Sequence, residues 1–262
     1  MNQLTLSHVL QALGGGQSIT AFFLVLGRVS PLFVLAPLFS AKQIPTRVKG
    51  VVAVAISIGL TGIAMHNQTL PTQPLQVAGL LMVQVLVGIL FAFAIAAVLA
   101  AVQTAGGLAD IVSGFSFGAT VDPINGNPGG TFSELYSLIG VMLFIAIGGD
   151  AWMLRGLART FALVPLTKAP QFTSLANAAE MSFASIFTSA LEVAAPVVLA
   201  LLITDVAFGM VSRVVPQMNV FSVAFPLKVG VSLLVVMATL PFLGGWMSDQ
   251  IYTSVATALH AL

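Results

Sequence analysis

The sequence predicts an all-α, membrane-associated protein: about six long hydrophobic helices arranged as hairpins, with a glycine-rich loop between the third and fourth. Three observations carry that reading. Of 262 residues, 58% are hydrophobic and only 6% are charged. A soluble domain carries roughly a quarter charged residues, so this chain cannot clothe itself in polar surface. Apolar runs recur near 19–39, 50–65, 75–105, 133–149, 181–208 and 229–247, separated by blocks that hold most of the prolines and charges. The stretch Gly106–Gly130, GGLADIVSGFSFGATVDPINGNPGG, is too broken for one helix and too apolar for a solvated loop.

Residues 1–17 are mixed and hold Gly14-Gly15-Gly16 near their end, with His8 the only titratable side chain before Arg28. With no basic residue ahead of Arg28, insertion through the first apolar run is expected rather than export by a cleaved signal. That run holds Arg28, and Pro31 and Pro37 should break its second half. The block SAKQIPTRVKG follows with Lys42, Arg47 and Lys49, a third of the nine basic residues. A second run over 50–65 ends at MHNQTLPTQP, a turn by its prolines and polar residues.

A helix through 75–105 would be about 45 Å long at 1.5 Å per residue, against a hydrocarbon core of roughly 30 Å. An upright span does not fit it. Gly88, Ala92, Ala96, Ala100 and Thr104 recur at four-residue spacing along it. Small residues in such register permit close backbone approach between membrane helices.

Gly106–Gly130 combines seven glycines and two prolines with Phe115 and Phe117, and carries only Asp110 and Asp122 as charges. Irregular backbone at membrane depth persists only where protein buries it or it lines a cavity. A plug, gate or re-entrant segment is one reading of it, and an ordinary connector is the other. Thr131-Phe-Ser-Glu134 then fits a capping box, with Thr131 as N-cap, and this explains Glu134 without a proton-carrying role. Residues 150–180 are the most amphipathic part, with Arg155, Arg159, Lys168, Pro165 and Pro170. The last third reads as one hairpin, helices over 181–212 and 229–247 folded about Pro216-Gln217. Asp205 and Lys228 then fall at matched depth, and an intramembrane acid and base at one level neutralise each other. That pair is predicted.

Several chemistries are missing. Net charge is +1, with no electrostatic case for nucleic acid. Cysteine is absent, which removes disulfides and thiolate metal sites. His8, His66 and His260 are scattered, and no nucleophile–base, zinc-protease or phosphate-loop pattern occurs. No enzyme, cofactor or metal is expected. The positive-inside rule finds no consistent orientation: Lys42, Arg47, Lys49 and Arg213 lie on one side, and Arg155, Arg159 and Lys168 on the other. The overlong helix and the misplaced charges both suit a subunit that is not surrounded wholly by lipid. The rival is a small-solute or ion-coupled secondary transporter, which uses helices broken by Gly and Pro at mid-membrane. Asp110, Asp122, Glu192 and Asp205 would be its ion path.

Three blocks, in order and over nearly the whole chain, resemble the FliR family of flagellar export-gate proteins and its injectisome relatives. They are RVSPLFVLAPLFSAKQIPTRVK (28–49), QTAGGLADIVSGFSFGATVDP (103–123) and RVVPQMNVFSVAFPLKVGVSL (213–233). Where that family often has an acidic residue after its Ala-Gly pair, Gly107 and Leu108 stand here. The resemblance implies a non-enzymatic core subunit of the type III protein export gate in the bacterial inner membrane, at the flagellar basal body. It implies FliP-like and FliQ-like gate subunits, FlhB-like and FlhA-like export components, unfolded protein substrates and membrane lipid as partners. Residues 1–175 would be a FliP-like helical part and 176–262 a FliQ-like hairpin. Helix would persist to about Ser113, and Gly114, Phe115, Ser116, Phe117 and Gly118 would plug the closed channel. Asp122 and Pro123 would anchor the plug, and 119–130 would be its return strap.

Overall fold

The computed structural model describes residues 15–36, 45–65, 68–71, 73–116, 130–217 and 219–262. Seven α-helices account for them: α1 (Gly15–Leu35), α2 (Thr46–Ala64), α3 (Pro74–Ser113), α4 (Thr131–Ala146), α5 (Gly149–Leu163), α6 (Phe172–Val214) and α7 (Val220–His260). No strand occurs among the described residues. Five of the helices are long and apolar enough to cross a membrane, and a sixth span results if α4 and α5 are counted together. The all-helical membrane class read from composition is what the chain adopts.

Helix lengths depart from the expected spans in one direction. α3, α6 and α7 have 40, 43 and 41 residues, each about 60 Å or more at 1.5 Å per residue and twice a hydrocarbon core. The terminal hairpin, expected over 181–212 and 229–247, extends at both ends of each arm. Polar termini that hydropathy assigns to loops continue as helix, because i→i−4 bonding propagates at little cost once a long helix exists.

Pro31 does not break α1, which runs on to Leu35. A proline removes the amide that would bond the carbonyl four residues back. Here the Ser30 hydroxyl donates to that carbonyl, Gly27 O, at 3.3 Å. Side-chain hydroxyls restore backbone bonding in this way in membrane helices.

The chain packs as two compact units. One comprises the described residues of Met1–Ala96, Asp150–Ser182 and Tyr252–Leu262; the other comprises those of Ala97–Gly149 and Phe183–Ile251. In the first, α1 lies along α2 and crosses the N-terminal half of α3 closely. A Cβ on Gly27 would come within 2.7 Å of the Leu81 side chain, and one on Gly88 would collide with the Arg28 carbonyl and Pro31. In the second, α3 crosses α4 at two places. A Cβ on Gly106 would lie 2.5 Å from the Phe132 carbonyl oxygen, and one on Gly140 would lie 3.3 Å from Val102. Ser57 is buried on α2, while Val51, Ile58 and Ile63 are exposed. Leu191, Ile203 and Val206 on α6 and Leu234 and Phe242 on α7 are likewise exposed. Apolar faces of this extent belong against lipid or other subunits.

Candidate functional site

The C-terminal end of α3, in the second unit, gathers charges, aromatic rings and a glycine in left-handed backbone. α3 ends at Ser113, beyond the 105 expected from the apolar run and at the end that the family resemblance implies, and Gly114 follows with φ +93°. An L side chain in that left-handed region is strained, so glycine suits the turn out of the helix. The Gly114 amide still donates to Asp110 O at 3.1 Å, and the Ser113 hydroxyl donates to the same carbonyl at 3.2 Å.

Asp110 is buried and caps a different helix. Its Oδ1 accepts from the Phe132 amide and its Oδ2 from the Ser133 amide, each at 2.8 Å. These are first-turn amides of α4, which have no partner within their own helix, and a carboxylate there complements the positive end of the helix dipole. Gly130 lies against the carboxylate so closely that a Cβ would overlap it. This replaces the expected capping box: the N-cap is Gly130, no side chain of its own segment caps α4, and Glu134 is exposed. A carboxylate from α3 takes the Phe132 and Ser133 amides, and the Glu134 amide that Thr131 was expected to cap donates to Gly130 O at 3.1 Å instead.

At the other end of the same turn, Lys228 Nζ lies 2.5 Å from Asp205 Oδ1 and donates to Val112 O at 3.3 Å. The ammonium therefore ties α6, α7 and the last turn of α3 together. A cation at a helix C-terminus meets the unpaired carbonyls and the negative end of the dipole. The Lys228 side chain is 16% exposed and that of Asp205 44%. Ser113, Gly114, Phe208, Phe225 and this pair border a cavity of about 460 Å³.

Phe115 leaves the turn between two rings. It meets Phe132 at 5.5 Å and 78°, and Phe225 at 5.4 Å and 62°. Both are edge-to-face contacts, the arrangement that the ring quadrupole favours. Gly114, Phe115 and Ser116 are thus placed; Phe117, Gly118, Asp122 and Pro123 lie outside the described residues. Along α3, Gly88 and Ala92 are buried and Ala96, Ala100 and Thr104 are half-buried.

A second polar centre lies in the first unit and was not read as a site from the sequence. Arg28 is fully buried. Its Nε donates to Gln84 Oε1 at 2.7 Å, and its Nη2 makes a shorter bond to the same oxygen. Nη2 also donates to Val164 O at 2.9 Å, and Nη1 to the Thr160 hydroxyl at 3.2 Å. The guanidinium carbon sits 4.3 Å from the Phe161 ring centroid. Gln84 in turn donates to Leu166 O at 3.1 Å. α1, α3 and the C-terminal end of α5 are joined through this one side chain. The available signal was Gln84, the single polar residue in the otherwise apolar run 77–102.

Among the described residues, no cluster of His, Asp or Glu could hold a metal ion. The arrangement is a set of helix ends stitched by charges, with an apolar segment departing from it.

The family model for bacterial export proteins, family 1, matches residues 19–254. The chain is 29% identical over 232 residues to the flagellar biosynthetic protein FliR of Pectobacterium carotovorum subsp. carotovorum, covering 86% of each chain. To the protein of that name in Escherichia coli (strain K12) it is 28% identical over 247 residues, 93% of this chain and 94% of the relative. To that of Bacillus subtilis (strain 168) it is 31% identical over 219 residues, 81% of this chain and 83% of the relative. A match of this extent, on an all-helical chain with five or six candidate spans, identifies a membrane component of the bacterial export apparatus: the chain belongs to the FliR-type family of bacterial export proteins.

Proposed function

We propose that this chain is a core, non-enzymatic subunit of the flagellar type III export gate, forming and sealing the channel through which unfolded proteins leave. The seal is the apolar segment Gly114–Gly118, held at its near end by Phe115. The carrying observation is the seat of that phenylalanine: between Phe132 and Phe225, directly after the left-handed Gly114. An export channel must pass an extended chain without leaking ions, so its obstruction must be tight, apolar and movable. Aromatic side chains dewet a constriction. A glycine hinge at the end of a rigid helix lets the segment swing while the helix stays fixed. Asp122 and Pro123 serve as the far anchor of the same segment, and 119–130 as the strap that returns to α4.

In this reading Arg28 and the close α1–α3 crossing stabilise a FliP-like part, residues 1–175, and α6–α7 is a FliQ-like hairpin within 176–262. FliP-like and FliQ-like subunits cover the exposed apolar faces that lipid does not, and FlhB-like and FlhA-like components complete the export path. The assembly lies in the bacterial inner membrane at the flagellar basal body. The length of α3, α6 and α7 favours an export-gate subunit over a small-solute transporter, because helices of about twice the bilayer need protein neighbours for much of their length.

Deleting residues 114–118 tests the seal. Assembly with partner subunits should survive, while ion leakage through the gate in energised membranes rises. Unchanged leakage with normal secretion would rule the seal out.

A further inference from the structure

We infer that the first unit carries a binding site for a phosphate-bearing anion, built on α5 and the last turns of α7 and filled by an anionic lipid headgroup. Arg155 and Arg159 stand one turn apart on α5, both exposed, and line a cavity of about 180 Å³. Trp152 and Tyr252 form one wall, their rings edge-to-face at 5.9 Å and 86°. Gly156 and Val255 are buried at its base, where a Cβ on Gly156 would come within 3.2 Å of Val255.

Among the described residues, neither guanidinium has a hydrogen bond or a carboxylate partner. This sets them apart from Arg28 and Lys228, whose donors are engaged. Like charges at i, i+4 repel one another on a helix, so an unneutralised pair facing one cavity calls for an anion from outside the chain. Guanidinium forks match phosphate oxygens bidentately, which an ammonium cannot do. The neighbours select the source. Trp and Tyr concentrate where a membrane meets water, with the ring in the apolar layer and the polar edge at headgroup level. An amphipathic helix with Arg on its polar side and Trp beside them is the arrangement that binds anionic bilayers. The same phosphate chemistry also suits free inorganic phosphate, which lacks any reason to sit beside an aromatic wall.

The test uses the full-length chain purified in detergent, with native mass spectrometry reading bound ligand. Phosphatidylglycerol should be retained in preference to phosphatidylcholine, and inorganic phosphate should not displace it. R155Q/R159Q should weaken phosphatidylglycerol retention about 25-fold, from about 1 kcal/mol per basic residue at an anionic surface and 1.4 kcal/mol per decade. R155K/R159K, which keeps the charge but loses the fork, should fall between. Displacement by inorganic phosphate with no preference for either lipid would overturn the lipid assignment. Equal phosphatidylglycerol retention by the wild type and R155Q/R159Q would overturn the site. A second measurement spares the arginines: in a W246F background, Trp152 emission should be quenched more by bromine-tailed phosphatidylglycerol than by bromine-tailed phosphatidylcholine. Equal quenching would also overturn it.

Discussion

The two units hold their parts of α3 by opposite electrostatic means. In the first, Arg28 is fully buried and, among the described residues, meets only neutral acceptors: an amide, a hydroxyl and a carbonyl. In the second, Lys228 is partly exposed and meets a carboxylate. Yet all three helix-binding charges obey one rule. Arg28 meets Val164 O just past the C-terminus of α5, Lys228 meets Val112 O at the C-terminus of α3, and Asp110 meets amides at the N-terminus of α4. Each has the sign that the adjacent helix dipole favours. A charge too deep for water finds its partners where helices leave backbone groups unpaired. The difference lies in access: where water reaches, a counter-ion is tolerable, and where it does not, neutral acceptors fix the geometry of the cation.

That comparison is best broken at Arg28. R28A leaves Gln84 Oε1 and Val164 O without their donor in a dry interior, at roughly 1–3 kcal/mol for each unsatisfied group. Equilibrium unfolding of the purified chain in detergent should therefore show about 3 kcal/mol lost or more. R28K should recover only part of it, because one ammonium cannot reproduce the fork. A variant as stable as the wild type would show that the cluster is not a structural centre.

D110A should come next, at about 2 kcal/mol, since it removes charge-assisted acceptors from two first-turn amides of α4. D110N, with one acceptor oxygen, should lose about half of that. Amide hydrogen exchange at Phe132 and Ser133 is the local readout, and protection unchanged in D110A would refute the cap. G114A should lose about 1 kcal/mol, the usual penalty for a side chain in left-handed backbone, and should slow any opening of the segment beyond it.

The smallest effect on stability belongs to K228A, at or below about 1 kcal/mol, because the Asp205 carboxylate is close to half exposed and well screened. Its signature should be salt dependence: high ionic strength should narrow the gap between wild type and K228A but leave that of R28A unchanged. If both gaps respond equally to salt, the contrast between the two units fails.

The residues themselves were most legible where a single property dominates. A chain 6% charged and 58% hydrophobic has no soluble option, and a 30-residue apolar run cannot be an upright span. The residues alone put the end of α3 near 105; its continuation to Ser113, which the structure has, was implied only by the family resemblance. Asp205 and Lys228 were paired from their equal distance to Pro216-Gln217, and the structure brings them to 2.5 Å. Helix ends that depend on remote partners were not readable. The local pattern offered Thr131 and Glu134 as a cap for α4, whereas the acceptor comes from Asp110, 22 residues away. Pro31 read as a break because the Ser30 hydroxyl bond that rescues Gly27 O is invisible to a propensity argument.

Sequence alone thus determined the class of the molecule, its helix-rich membrane character and the oddity of Gly106–Gly130. These follow from transfer free energies and backbone freedom, which are properties of residues one at a time. Tertiary structure alone decided which charge meets which helix end, that Arg28 is held by neutral acceptors, and that Phe115 rests between Phe132 and Phe225. Those outcomes depend on atoms brought together from distant parts of the chain, where a few ångströms separate a satisfied polar group from an orphan.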